Sequence, residues 1–241
     1  MRGLLPLVAL MAPATAFGGA LDGLFKVVDG YVQASSYAGQ FEIEVTKVEA
    51  GRIRTWRVKG EMAYLAPNKF LLRMEDAIGG FVVACDGSRV ISYLWPHMEY
   101  RVDPAPKSLK EFKADPLLGL PGRAPLVWQF LCAKDSKAVL GDVKSVGERT
   151  ENGLKIFEAR TELKGKEGKA FGRFSIKVRG GLIKEIVAEL SVVDAKGRIV
   201  AYIIREAHLR AQIGGKVEER KFRFQPPKGA RKVERFSFPY P

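Results

Sequence analysis

The stretch Gln40-Phe41-Glu42-Ile43-Glu44-Val45-Thr46 alternates polar and apolar residues, and similar runs follow it closely. Alternation over four to eight residues is typical of half-buried antiparallel strands. Short connectors such as Asp86-Gly87 separate the runs, because glycine tolerates the positive φ that tight hairpins need. The pattern predicts a meander of six strands, with one apolar and one charged face. The later runs lie at 56–64, 70–75, 81–85, 90–95 and 98–102.

Alternation resumes in the second half of the chain and predicts five more strands. These lie near 154–163, 170–178, 182–192, 198–209 and 216–225. No Pro-, Ser- or Gly-rich linker separates the halves, so we expect one domain over residues 21–241. A sheet of eleven strands cannot stay flat, because strand twist accumulates. The predicted fold is therefore mainly β (α+β): a single strongly curved antiparallel sheet that forms an incomplete barrel.

Helices are expected to cover the apolar face of this sheet. Apolar residues recur at helical spacing between 21 and 31, with Asp22 as N-cap and Ser35 as the stop. The region 104–147 interrupts the β pattern, and its Ser108-Leu109-Lys110-Glu111 reads as a capping box. An apolar loop at 117–122 follows. Pro125 then starts a helix that is apolar nearly all round, which is either an ordinary core helix or a lid over a cavity.

The first twenty residues predict a secretory signal. Arg2 supplies the positive charge, residues 4–11 the apolar segment, and Ala14-Thr15-Ala16 a cleavage site, with Gly18-Gly19-Ala20 as a second option. The apolar run is too short to span a bilayer. We therefore expect the mature protein to be exported to the periplasm, or secreted, and soluble.

The chain is strongly basic, since 40 Lys and Arg residues against 27 Asp and Glu give a net charge of +13. Such a charge favours anionic partners. The basic residues are spread along outward strand positions, which favours a solvated exterior over a nucleic-acid patch. Cys85 and Cys132 are the only cysteines. They are either two buried free thiols or, since an exported compartment permits it, a disulfide.

No pattern in the sequence indicates catalysis or a cofactor. His97 and His208 are the only histidines, and neither has a second ligand at metal-binding spacing. No Gly-x-Ser-x-Gly elbow and no phosphate-binding loop is present. We therefore expect a protein that is not an enzyme and holds no metal.

Apolar side chains at alternating positions predict the inner face of the sheet. Periodicity alone leaves open whether this face is a filled core or the wall of a cavity, although Met and aromatic residues make an adaptable lining. The candidate lining residues are Phe41, Ile43, Trp56, Val58, Met62, Tyr64, Phe70, Leu72, Met74, Phe81, Val83, Ile91, Tyr93 and Trp95. The candidate lid residues are Val27, Leu126, Val127, Phe130 and Leu131.

Three stretches of the chain resemble the LolA/LolB-like superfamily of periplasmic lipoprotein carriers. They are the hairpin 60–72, with its Tyr-x-x-Pro-Asn-Lys-Phe pattern, the hairpin 85–93, with Asp-Gly-x-x-Val-x-x-Tyr, and Phe222-Arg223-Phe224-Gln225-Pro226-Pro227-Lys228-Gly229-Ala230. The resemblance implies an incomplete barrel with a helical lid and a cavity for acyl chains. The family's Arg after the Phe is Leu71 here. Arg73 lies on the same strand face and is either a polar contact in its place or a plain surface charge.

These observations favour an exported carrier or chaperone that binds lipid or the acyl chains of a lipoprotein and contacts anionic membranes transiently. Such an activity would belong to lipoprotein transport and outer membrane biogenesis. The alternative is a protein-interaction or sensor domain on the same fold, with a filled core and an exposed groove or sheet edge. Neither nucleic acid nor metal is an expected partner.

Overall fold

One sheet of twelve strands organises the computed structural model, which describes residues 17–77, 79–112, 124–165, 168–193 and 199–237. The strands follow in space the order β12-β6-β5-β4-β3-β2-β1-β11-β10-β9-β8-β7, and every neighbouring pair is antiparallel except β12 with β6. The expected mainly β, antiparallel fold is confirmed, and its curvature stays a prediction. The strands are β1 Ser36–Glu49, β2 Arg52–Leu65, β3 Lys69–Asp76, β4 Gly79–Cys85, β5 Arg89–Leu94, β6 Glu99–Pro104, β7 Asp142–Glu151, β8 Leu154–Gly165, β9 Gly168–Arg179, β10 Leu182–Val193, β11 Ile199–Ile213 and β12 Arg231–Lys232.

The strand prediction was wrong in two places. Residues 216–225 do not form a strand but an irregular segment with a short 3-10 helix, Glu219–Phe222. Val217 and Phe222 are both buried against the sheet, and their spacing of five does not fit a strand, in which every second residue shares a face. β7 lies partly in the region that was expected to interrupt the β pattern. It is an edge strand with mostly exposed residues, so it carries no apolar alternation.

Three α-helices lie among the described residues: α1 Phe17–Val32, α2 Leu126–Cys132 and α3 Ser136–Leu140. The predicted helix after Pro125 is confirmed as α2. Asp22 is not an N-cap, because α1 already includes Phe17. The capping box is also wrong: Ser108 makes no side-chain cap hydrogen bond, and only a three-residue 3-10 helix follows it. α3 was not predicted, and it begins where Asp135 Oδ1 accepts a hydrogen bond from the Ala138 N–H at 2.7 Å.

The predicted signal falls mainly outside the described residues, as does the apolar loop 117–122. Residues 17–20 of that signal belong to the first turn of α1, where Ala20 is buried. Cleavage after Ala16 would therefore leave α1 whole, whereas cleavage after Ala20 would remove its first four residues.

Both faces of the sheet carry apolar clusters. We call the face under the helices the inner face; it holds the main core. α1 approaches β8 closely because residue 23 is glycine: a Cβ there would lie 3.0 Å from Phe157 Cε1. The opposite, outer face has a smaller cluster on β2–β4, covered by the chain after β11. This outer cluster consists of Ala63, Leu71, Val82, Ala84, Val217 and Phe222, with Trp95 and Phe224 packed against it.

A buried carboxylate fixes the end of the C-terminal segment. Glu99 on β6 accepts hydrogen bonds from the Ser237 N–H at 2.8 Å, from the Ser237 hydroxyl at 2.8 Å and from Arg231 Nη2. Burial acts to raise the pKa of Glu99, but the bonds from Ser237 and Arg231 outweigh it and hold the pKa below its usual range. The ionised Glu99 thus stabilises the wrap of residues 214–237 around the sheet.

Candidate functional site

Eleven of the fourteen predicted lining residues share the inner face. Directly opposite residues on neighbouring strands point to the same side of a sheet. The pairs Ile43 with Val58, Met62 with Leu72, and Leu72 with Val83 therefore fix the face across four strands. The eleven residues all belong to the main core, with Trp56 only partly buried: Phe41, Ile43, Trp56, Val58, Met62, Tyr64, Phe70, Leu72, Met74, Phe81 and Val83.

Ile91, Tyr93 and Trp95 do not lie on this face, so their assignment to it was wrong. Ile91 is opposite Ala84 and Tyr93 is opposite Val82, which places both on the outer face. Trp95 follows β5 in a 3-10 helix, with its ring 5.5 Å from that of Tyr93. β4 and β5 are buried on both faces, so apolar residues occupy nearly every position and alternation no longer reveals the face. The inner residues of β5 are Val90, Ser92 and Leu94, which sequence reasoning missed.

The inner face is packed rather than hollow where these side chains lie. Phe70, Leu72 and Val83 have no solvent-accessible surface, and Phe41 and Ile43 have almost none. A side chain that borders a water-sized space retains accessible surface. The filled-core alternative therefore describes this state of the molecule.

α2 lies over this face, as expected for the predicted lid residues. The Trp128 ring packs edge-on against Phe70 of β3 at 5.7 Å, and the Phe130 ring lies 6.4 Å from Tyr31 of α1. Val127, Phe130 and Leu131 are buried in the main core, while Leu126 and Val27 are partly buried against it. The helix thus fills the inner face with its own aromatic side chains.

Glu206 of β11 ties α2 to the sheet. Its side chain is fully buried, Oε2 accepts the Leu126 N–H at 2.5 Å, and Oε1 accepts the Val127 N–H at 3.2 Å. These are N–H groups of the first helical turn, which have no partner within the helix. Sequence reasoning missed Glu206. Its position in the strand could have indicated it: Glu206 falls two residues after Ile204 and two before His208, so it is a carboxylate at a position that faces the core.

Two further polar side chains, His208 and Tyr37, extend this buried contact, and the Tyr31 ring packs beside Tyr37 at 5.9 Å. His208 Nε2 lies 2.7 Å from Glu206 Oε1, and its Nδ1 lies 3.3 Å from the Tyr37 hydroxyl. A neutral ring with its proton on Nε2 donates to Glu206 and accepts from Tyr37. The Tyr31 hydroxyl accepts the Ile183 N–H at 2.8 Å. Burial raises the pKa of Tyr31 to about 12 and raises that of Tyr37 further, so both phenols stay protonated.

This network has a structural role and exposes no reactive atom to solvent. Glu206, His208, Tyr31 and Tyr37 are all buried, so no substrate reaches them in this state. His208 therefore has a structural role. Within the described parts of the chain, no cluster of three His, Cys, Asp or Glu side chains is placed to hold a metal ion.

Arg73 does not reach the inner face. It lies opposite Val82 on the outer face, with Nη1 3.2 Å from Glu61 Oε1, and its buried Nε has no hydrogen-bond partner. Leu71 shares that face in the outer cluster. The proposed polar contact of Arg73 with a ligand on the inner face is therefore wrong.

The two cysteines form no disulfide. Cys85 is buried on the inner face of β4, and Cys132 ends α2. Burial raises the pKa of both thiols, that of Cys132 to about 12. Both are inert thiols in the packed state.

Among the residues that the structure describes, no helix has both the length and the apolar character needed to cross a bilayer.

Comparison of the sequence with protein-family models and with curated proteins gives no match. Two solved structures align along most of the chain. One is a domain from Vibrio parahaemolyticus named for outer membrane lipoprotein sorting, with a TM-score of 0.34, 9% identity, 85% of this chain covered and 96% of that chain. The other is a DUF1329 family protein from Desulfovibrio piger ATCC 29098, with a TM-score of 0.37, 8% identity, and 85% and 97% covered. The chain is thus similar to a lipoprotein-sorting domain and to a DUF1329 protein at low sequence identity.

Proposed function

We propose that the protein is an exported, non-enzymatic carrier, working in the periplasm or outside the cell. It would bind the acyl chains of a lipid or lipoprotein between the inner face of the sheet and the helices α1 and α2. One observation carries the proposal: α2 covers a broad apolar face and is tied to the sheet by the buried carboxylate of Glu206.

The contact between Glu206 and α2 is compatible with a helix that opens and closes over the sheet. When α2 leaves, Glu206 keeps its contact with His208, so the carboxylate is not left without a partner. The freed N–H groups of Leu126 and Val127 can bond to water. Because each hydrogen bond to a charged group contributes roughly 1.5–3 kcal/mol, breaking two of them costs about 3–6 kcal/mol.

An acyl chain can offset this cost. Burial contributes roughly 0.8 kcal/mol per CH₂, so a chain of about fourteen CH₂ groups gains about 11 kcal/mol. The chain would replace Trp128 and Phe130 against the inner face, and the burial that these two side chains lose costs roughly 1.5–3 kcal/mol each, which the acyl chain must also offset. Met62 and Met74 lie there, and their flexible thioethers adapt to ligands of different shape.

A second function has its own support, because the inner face is packed in the described state. A domain with a filled core would act through its surface, as a protein-interaction or sensor module. This alternative predicts that α2 never leaves the sheet.

Native mass spectrometry of the mature protein from an exported preparation, followed by organic extraction, distinguishes the two. We expect a bound mass that extracts as lipid, and uptake of a fluorescent fatty acid by the emptied protein. Phe130→Glu should abolish both in a protein that keeps its circular dichroism spectrum. Trp95→Gln, on the outer face, is the matched control and should bind normally.

Glu206→Gln tests the tie itself. It weakens the hold on α2, so uptake of the fatty acid should become faster. No extracted lipid, with no uptake by the wild type or by Glu206→Gln, would reject the carrier and leave the interaction module.

A further inference from the structure

One end of the outer face carries an uncovered apolar patch. Val48 of β1 lies directly opposite Ile53 of β2 and Ala201 of β11, and Ile199 and Ile203 flank Ala201 along its strand. These five residues, which we call the tip patch, form one contiguous group. The exposed fractions are 70% for Ile53, 65% for Ile199 and 44% for Ile203. Single exposed apolar residues are ordinary, but three neighbouring isoleucines indicate a contact surface.

The patch lies on a projecting part of the sheet. Among the described residues, β2 pairs with β3 only from Lys59 onward, so residues 52–58 extend past that neighbour. Seven residues of strand span roughly 20 Å. The turn at the end is tight, with Ala50 and Gly51 both at positive φ, 49° and 76°. A two-residue hairpin of this kind holds the two strands in register and presents Ile53 close to the end of the molecule.

Cations lie on both faces of this tip: Arg205 shares the outer face with the patch, whereas Arg52 and Arg54 share the inner face. In residues 44–57 and 199–205, five Lys and Arg residues and two Glu residues give a net charge of 5 − 2 = +3. Both carboxylates are already paired: Glu44 with Arg57 at 2.7 Å, and Glu49 with Lys47 at 2.7 Å. Within the described chain, the exposed Arg52, Arg54 and Arg205 then have no carboxylate partner within 4.0 Å.

Two aromatic residues lie at the same level on the inner face. Trp56 pairs with Val45, Tyr202 pairs with Lys47, and both rings are half-buried against the main core. Trp and Tyr are favoured at the boundary between head groups and hydrocarbon, because their rings are amphipathic. The tip thus combines exposed isoleucines, unpaired arginines and interfacial aromatics.

We propose that this tip docks on the surface of an anionic lipid bilayer. The isoleucines enter the head-group region, and Arg52, Arg54 and Arg205 contact anionic head groups. A nucleic acid would leave the isoleucines in water. A second copy seated tip to tip on this patch would bring two tips of net charge +3 together, which like-charge repulsion opposes. An anionic bilayer satisfies the apolar and the charged groups together.

Vesicle flotation with the mature protein tests the proposal. We expect binding to phosphatidylcholine vesicles that contain phosphatidylglycerol, weaker binding without it, and a decrease as salt rises. Arg52→Gln and Arg54→Gln should each lower the partition coefficient about fivefold on anionic vesicles. The double change Ile53→Ser/Ile199→Ser should lower it at least about fivefold on the same vesicles.

Matched controls lie elsewhere on the surface. Leu209→Ser removes an apolar side chain that is 58% exposed, further along β11, and Lys228→Gln/Lys232→Gln removes two exposed cations near β12. Both should bind vesicles like the wild type. The proposal is overturned if no vesicles bind, if the controls lose as much as the tip variants, or if the tip variants bind normally. It is also overturned if the tip variants change only the oligomeric state, since a second copy would then cover the patch.

Trp56 is the one residue named for both the docking surface and the proposed acyl site, and none of the tip variants changes it. Uptake of fatty acid in the absence of vesicles should therefore be unchanged in the tip variants. Failure of that uptake in the wild type would remove the carrier function and leave the docking result standing.

Discussion

The two halves of the sheet are covered differently. In the first half, helices pack on the inner face, and the segment after β11 crosses the outer face, where Val217 and Phe222 are buried, before Phe236 reaches the main core. In the second half, α1 packs on the inner face, and the outer face carries ion pairs such as Lys177 with Glu185 at 2.8 Å. The first half of the sheet is therefore buried on both faces, and the second half is buried on its inner face.

The amino-acid composition of the strands reflects this difference in burial. β4 and β5 read Gly-Gly-Phe-Val-Val-Ala-Cys and Arg-Val-Ile-Ser-Tyr-Leu, with almost no polar position. β9, by contrast, reads Arg-Phe-Ser-Ile-Lys-Val-Arg from residue 173. A strand that loses its alternation indicates a second cover, supplied here by a distant part of the chain.

Cys132 offers the largest expected effect, because it reports whether the inner cover of the first half is closed. A pKa of about 12 keeps the thiol protonated, so at pH 8 its thiolate population is roughly 10³-fold lower than that of an ordinary thiol. Alkylation by iodoacetamide, measured in a Cys85→Ser background, should be slower than in urea by about that factor. It should speed up as the pH rises toward 12. A native rate within about tenfold of the unfolded rate would mean that α2 does not close over the sheet.

Phe222→Ala tests the outer cover. Phe222 is buried in the outer cluster, and truncating a buried Phe costs about 3 kcal/mol or more of unfolding free energy. Ser175→Ala, on the outer face of the second half, should change it by less than about 0.5 kcal/mol. Urea denaturation measures both. Equal losses at the two sites would break the distinction between a covered and an uncovered outer face.

Glu99→Gln sharpens the comparison, because Glu99 anchors the end of the segment whose earlier part covers the outer face. Loss of the charged acceptor for Ser237 and Arg231 should cost about 2 kcal/mol at neutral pH. Because the folded pKa is lowered, this stabilisation is present above the ordinary pKa of Glu and is lost as the pH falls through the folded value. Urea denaturation across this acid range should show a loss in the wild type that is reduced in Glu99→Gln. Glu75→Gln, an exposed carboxylate, is the control and should keep the wild-type pH dependence.

Tyr31→Phe has the smallest expected effect and tests how α1 is held over the second half. The change removes the acceptor of the Ile183 N–H and should cost about 1 kcal/mol. Amide hydrogen exchange at Ile183 should become faster. If Tyr100→Phe, a half-buried phenol on β6, produced the same acceleration at Ile183, the bond would not be what protects that amide.

Strands with one buried face were predictable from the sequence. β1 and β2 have one buried face over most of their length, and their alternation indicated both the strands and the inner face correctly. β7 was missed because an edge strand with exposed Ser, Glu and Arg has no apolar period. The inner face of β5 was assigned wrongly because alternation presumes a single buried face.

The candidate site was predictable in its apolar part only. α2 followed from a run of seven residues with apolar side chains at nearly every position. Its tie to Glu206 did not, because the carboxylate and the N–H groups it accepts from lie about eighty residues apart in the chain. The local sequence around either partner does not indicate which distant residue it will contact. Only the pairing of β11 with β1 brings Glu206 under α2.

The pairing of β1 with β11 also bears on how the chain folds. Tyr37 lies opposite Ile213, so the centre of the sheet joins residues from opposite ends of the described chain. Contacts this distant in sequence are slow to form, because a long loop must close before they stabilise anything. The first six strands also wait for residues 214–237 before their outer face is covered. Until residues 217–224 are in place, the folding chain would therefore expose the free edge of β1 and the outer residues of β3–β5.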